Sequence, residues 1–204
     1  KNGEWCGRTT VTVCNLSKKD FTGSLHLSLA GKTEEAKCLI NAGQQTDIVF
    51  QQSFHEVNAW NVGKPNLYLL KVLLCSGTGE AVDDLIDRVG FRQVAVEGRR
   101  ICINGESVFL KGFNRHEDYG KIGCAIPPML MVQDMDLMEE MGANAVRTCH
   151  YPNDERFLDL CDERGMMVWE ENHARGLNLE QMQNPNFDRQ CEDCIYEMIE
   201  NHYN

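Results

Sequence analysis

The chain has 204 residues, 42% of them apolar, enough to bury a core and to form one large domain or two ordinary ones. Its formal net charge of −11, with 20 basic residues scattered along the sequence, argues against nucleic acid or an anionic membrane as partner, because phosphate contacts need clustered Lys and Arg. No apolar run reaches transmembrane length, and Lys1-Asn-Gly-Glu-Trp5 lacks the apolar centre of a signal peptide.

Residues 1–93 read as an all-β domain. Thr9-Thr-Val-Thr-Val13 and Ser24-Leu-His-Leu-Ser-Leu29 alternate in polarity, and Asp47-Ile-Val-Phe50 and Leu67-Tyr-Leu-Leu-Lys-Val-Leu-Leu74 follow. Turn residues separate them: Asn15, Ser17 and Asp20, then Ala42-Gly43, then Ser76-Gly-Thr-Gly79. Short strands at this interval predict a sandwich with one buried face per strand. His26 falls on the polar side of its alternation and is expected at the surface.

From residue 94 the pattern changes. Val94-Ala-Val96 and Arg100-Ile-Cys-Ile103 flank Glu97-Gly98 as a hairpin, and Asn104-Gly105 marks a second tight turn, since both residues tolerate positive φ. Three apolar runs then end in polar, chemically capable residues: Phe109-Leu-Lys-Gly-Phe-Asn-Arg-His116, Ala145-Val-Arg-Thr-Cys-His150 and Met166-Met-Val-Trp-Glu-Glu-Asn172. Between them, Pro128 to Met141 carries Met131, Met135, Met138 and Met141 at helical spacing, which predicts a core-facing stripe. A second helix is expected from a cap at Asn153 or Asp154 to Gly165, burying Phe157, Leu160 and Cys161, and a third from Phe187 to His202. Strand, helix, strand, helix, strand is the order of parallel βα units.

In a βα barrel the strand ends converge on one mouth. Asn114, Arg115, His116, Arg147, His150, Glu170, Glu171 and Asn172 are therefore expected to point to one place. Of the ten cysteines, only Cys191 and Cys194 form a C-x-x-C, and they share a helical face with Phe187, Ile195 and Met198. Buried free thiols in a reducing cytoplasm are the expectation.

Gly112-Phe-Asn-Arg-His116-Glu-Asp, Gly142-Ala-Asn-Ala-Val-Arg147-Thr-Cys-His150-Tyr-Pro152 and Cys161-Asp-Glu-Arg-Gly165-Met-Met-Val, in this order, resemble glycoside hydrolase family 2, the family of β-galactosidases, β-glucuronidases and β-mannosidases. Trp60, Pro65-Asn-Leu-Tyr68 and Val89-Gly-Phe-Arg92 are similar to its immunoglobulin-like domain. The resemblance implies an immunoglobulin-like β-sandwich over 1–93, followed over 94–204 by the first βα units of a TIM (β/α)8 barrel. It implies a retaining exo-β-glycosidase acting on terminal β-D-galactosides, with β-glucuronides and a non-catalytic carbohydrate-binding or scaffold module left open.

Retaining enzymes use two carboxyl groups about 5 Å apart. The family's catalytic glutamates lie on its fourth and seventh strands, so none is expected in this chain, which should be inert alone. A reading frame continuing past Asn204 into a strand ending Asn-Glu would mark it as a cut piece. Glu170 and Glu171 cannot be the pair, because neighbours on a strand face opposite ways. By resemblance His116 and His150 bind sugar hydroxyls, Arg147 lies against the nucleophile, and Glu171 supports. The alternative for Arg147 is an ion pair with Glu171 or Glu170.

No cofactor and no metal are expected. Where enteric-type β-galactosidases bind magnesium through Glu-x-His, this chain has Arg175 and Leu177, which offer no hard oxygen ligand. A rival reading places a catalytic metal on His116, His150 and His173, although barrel hydrolases usually take two histidines one residue apart from the first strand, where this chain has Asn114. The expected partners are a β-linked sugar and a second copy of the chain, through the open edges of the cut barrel.

Overall fold

The computed structural model describes residues 3–202, so Lys1 and Asn2 of the amino-terminal segment, and the chain end at Asn204, lie outside the described residues. The chain divides into two compact units. One takes the chain up to Ala59 together with Leu67–Phe91, and the other takes Trp60–Asn66 and the chain from Arg92 onward.

The first unit is the sandwich. Its strands are β1 (Trp5–Cys14), β2 (Phe21–Leu29), β3 (Lys32–Ile40), β4 (Gln45–Phe54), β5 (Leu67–Ser76) and β6 (Ala81–Gly90). β1 and β4 pair antiparallel in one sheet, and the other has the order β3-β2-β5-β6. Leu25, Leu27 and Leu29 of β2, Phe50 and Phe54 of β4 and Val72 of β5 meet in the core with Phe91. The rings of Trp5, Phe54 and Tyr68 stand edge-on to that of Phe91, with centroids 5.0–6.0 Å away.

Two of these strands are not apparent in the sequence. β3 carries Glu34-Glu35-Ala36-Lys37, residues depleted in strands, yet it pairs with β2 along its whole length, from Phe21 opposite Ile40 to Leu29 opposite Lys32. The hairpin closes through Ala30 and Gly31, both at positive φ, and buries Cys38 and Ile40. β6 has most of its side chains in solvent, including Asp83, Asp84 and Asp87, as suits a sheet edge protected by charge.

The second unit begins with an antiparallel meander, β7 (Val94–Glu97), β8 (Arg100–Ile103) and β9 (Glu106–Val108), whose second turn places Asn104 and Gly105 at positive φ. Trp60, buried in this unit, donates from Nε1 to the Asp162 carbonyl at 2.8 Å, and the Asn104 amide donates to the Trp60 carbonyl at 2.9 Å.

The βα units follow: β10 (Gly112–His116), α1 (Pro128–Glu140), β11 (Ala145–Cys149), α2 (Glu155–Arg164), β12 (Met167–Trp169), α3 (Leu179–Met182) and α4 (Phe187–His202). The three strands form a parallel sheet in the order β10-β11-β12. Asn144 aligns their starting ends. Its side chain accepts from Lys111 N at 2.7 Å and donates to Phe109 O at 3.0 Å, while its carbonyl accepts from Met167 N at 3.0 Å. A Cβ on Gly112 would stand 2.0 Å from the Ala145 carbonyl oxygen, so the close approach of β10 to β11 requires glycine there.

The core of this unit joins Met131, Met135 and Met138 of α1, Phe157 and Cys161 of α2, Val146 of β11 and Met166. The methionine stripe is thus core packing over three of its four members. Met141 is 63% exposed, because α1 ends at Glu140 and releases it. Asp154 caps α2 by accepting from Arg156 N, and Gly165 ends it in the left-handed region.

The cysteines correct another expectation. All ten are free, but Cys6, Cys14 and Cys124 are exposed and Cys191 and Cys194 are half-buried, leaving five buried. Among the described residues no helix is long and apolar enough to cross a membrane.

Candidate functional site

Strand alternation sorts the polar residues of the parallel sheet onto two faces. Asn114 is in register with Arg147, and His116 with Cys149, so these four share one face. Arg147 is in turn opposite Trp169, which places Glu171, two residues further, on that same side. Arg115, Val146, Thr148, Val168 and Glu170 alternate to the helix side.

On the first face Arg147 is the hub. Its Nη2 lies 2.6 Å from Glu171 Oε2, and its Nη1 donates to Asn114 Oδ1 at 3.1 Å. The His150 Nδ1 is 3.1 Å from Glu171 Oε2 and 3.2 Å from Oε1. Nδ1 donates to the carboxylate in the tautomer that protonates it, and Arg147 Nη2 faces the same nitrogen at 3.4 Å. His116 stands edge-on to His150, with ring centroids 5.1 Å apart. His116 is exposed, His150 half-buried and Cys149 fully buried, so the cluster deepens from solvent towards the sheet. The peptide bond between Cys149 and His150 is cis.

Three of the strand-end residues do not join this cluster. Arg115 turns to the helices, where its guanidinium lies 3.8 Å from the centroid of the Phe157 ring and donates to Asp134 at 3.0 Å and Asn153 at 2.7 Å. Glu170 also turns away and pairs with Nδ1 of His202 on α4 at 2.8 Å. Asn172 spends its side-chain oxygen on Ala174 N in its own loop, at 3.1 Å. The physical reason is the two-residue period of a strand, which a rule about strand ends ignores. Glu117, beside His116, is buried and accepts from Asp154 N at 2.9 Å, so it supports the start of α2.

His116, Arg147, His150 and Glu171 are brought together. The ion pair weighed as the alternative for Arg147 is present with Glu171, and the Glu170 option is not taken. Cys149 was not singled out in the sequence. The available signal was its position two residues after Arg147, which puts both on one face. It also takes the place of His173 in the potential metal-ligand group: His116, Cys149 and His150 each offer an atom within 4.8 Å of the others.

The chain belongs to glycosyl hydrolases family 2. The family's TIM barrel domain profile matches residues 94–203, and a second profile of the same family matches residues 6–92. The fold is accordingly an immunoglobulin-like sandwich followed by the start of a TIM barrel.

Among solved structures, a family 2 β-galacturonidase from Eisenbergiella tayi bound to galacturonate is similar, with 44% identity, a TM-score of 0.89, and coverage of 98% of this chain and 36% of that one. A Bacteroides uniformis β-glucuronidase is 27% identical over 100% of this chain and 25% of its own, with a TM-score of 0.91. A β-galactosidase from Photobacterium profundum is 38% identical over 63% of this chain, which spans 13% of that protein's length.

Proposed function

We propose that the chain is the sandwich and the opening βα units of a retaining exo-β-glycosidase, and that it supplies part of the wall that holds the terminal sugar. The single observation that carries this is the cluster at the ends of adjacent parallel strands, in which Glu171 ties Arg147 at 2.6 Å and orients His150 at 3.1 Å, in a chain of a glycosidase family. His116 and His150 offer imidazole nitrogens to sugar hydroxyls. Arg147, beyond its bond to Glu171, presents a fixed cation to the nucleophilic carboxylate that the family carries on its seventh strand. None of the residues of this chain is assigned as catalytic acid or nucleophile, and the chain alone is inert.

For the sugar, β-D-galactosides follow from the sequence resemblance and from the likeness to the Photobacterium profundum β-galactosidase. A uronide is supported by the 44% identity to a β-galacturonidase and by the likeness to a β-glucuronidase. Ten free thiols favour a reducing cytoplasm as its compartment.

The test is hydrolysis of nitrophenyl β-galactoside, β-galacturonide and β-glucuronide by the uncut gene product and by the 204-residue chain. The expected result is turnover of one of the three by the former and none by the latter. Sugar binding by the uncut product without hydrolysis of any substrate would replace this reading with that of a carbohydrate-binding module.

A further inference from the structure

We propose that His116, Cys149 and His150 form a binding site for a zinc-class divalent ion, and that an ion bound there closes the sugar-facing side of the sheet. Each residue contributes one ligand atom, and the three atoms lie within 4.8 Å of one another. Zinc bound by one thiolate and two imidazoles sets its ligand atoms about 3.3–3.6 Å apart, so closing the set needs each side chain to move by about 1 Å or less. One sulfur and two nitrogens select a borderline-soft ion and reject magnesium or calcium, which need oxygen ligands.

A second feature points the same way. The Glu171 carboxylate lies 3.1 Å from His150 Nδ1, so in the tautomer protonated at Nδ1 the other nitrogen is free to bind, and a carboxylate behind a histidine in this way fixes metal-binding imidazoles. Arg147, paired with Glu171 at 2.6 Å, also lies against two of the ligands, with Nη1 3.9 Å from Cys149 Sγ and Nη2 3.4 Å from His150 Nδ1, so binding an ion requires its guanidinium to swing towards Glu171. Entry is open from the solvent side through exposed His116, with Cys149 as the buried floor. Three protein ligands leave a fourth position for water or a hydroxyl. Binding forms a metal–sulfur bond and releases the Cys149 thiol proton to solvent, with no change in oxidation state.

The binding claim stands without the glycosidase reading, and the blocking claim rests on it. Cobalt(II) titration of the full-length protein is the test, since cobalt reports thiolate ligation as a near-ultraviolet charge-transfer band. The expected result is a band that saturates at one equivalent, is displaced by zinc, disappears in Cys149→Ser and survives in Cys124→Ser. His116→Gln, on an exposed side chain, should keep the band and weaken cobalt affinity at least tenfold, which preserves the test should Cys149→Ser fail to fold. No saturable band, or one unaffected by Cys149→Ser, overturns the site. Zinc should also inhibit hydrolysis competitively, raising KM at constant kcat. A band with undiminished hydrolysis at saturating zinc would keep the site and remove the sugar from its side of the sheet.

Discussion

Replacing Arg115 with methionine tests whether the helix-facing side of β10 is held by charge as well as by packing. The guanidinium is 5% exposed, lies over the Phe157 ring at 3.8 Å, and is 3.8 Å from a Glu117 carboxylate that is 9% exposed. Methionine fills much of the space above Phe157, so little cavity results, but Glu117 is left buried with the Asp154 amide as its hydrogen-bond donor and without the Arg115 cation. Removing one partner of a buried pair costs about 3–5 kcal/mol, against 1 kcal/mol or less for an exposed pair. With a urea dependence of about 2 kcal/mol per molar, the midpoint should fall by about 2 M. Among the described residues all four helices belong to the second unit, so far-ultraviolet circular dichroism reports its unfolding. Adding Glu117→Gln removes the stranded charge and keeps an acceptor for Asp154 N, so the double variant should recover at least half of the loss. A single variant within about 1 kcal/mol of the parent, or a double variant no better than the single, would refute the argument.

Four further outcomes are expected. The side-chain and backbone hydrogen bonds from Arg156 hold the Asp154 carboxyl at about 2, so its capping contribution is complete above its usual range near 4 and is lost as pH falls towards 2. Asp154→Ala should cost about 1 kcal/mol at neutral pH and less than half of that at pH 2, read by urea titration at both. Glu171→Gln removes the anion that fixes Arg147 and His150, and kcat/KM of the uncut enzyme should fall about 10- to 100-fold, the equivalent of one charge-assisted hydrogen bond; an unchanged value would detach this cluster from the substrate. A thiol reagent should modify Cys6, Cys14 and Cys124 rapidly and Cys161, whose pKa burial pushes up, only on unfolding; mass spectrometry of timed samples would show otherwise if the packing of α2 were wrong. The open edges of β10 and β12 should drive the chain to associate, and light scattering that found a clean monomer at tens of micromolar would count against it.

Much of the architecture was legible in the chain itself because its signals are local. Asn104-Gly105 announces a turn by tolerating positive φ, Asp154 and Gly165 bracket α2 by capping chemistry, and alternation marks β1 and β2. β3 was hidden because Glu34-Glu35-Ala36-Lys37 is a strand only by virtue of its pairing with β2, which no single segment encodes.

The sequence alone determined that His116, Arg147, His150 and Glu171 belong to the polar endings of successive apolar runs, since residue order and hydrophobic pattern suffice for that. Only the tertiary structure decided which strand-end residues meet. Register set Asn114 beside Arg147 and His116 beside Cys149, while the same two-residue alternation sent Arg115 to Phe157 and Glu170 to His202. Facing is a property of paired strands, and a one-residue shift would exchange the two faces throughout.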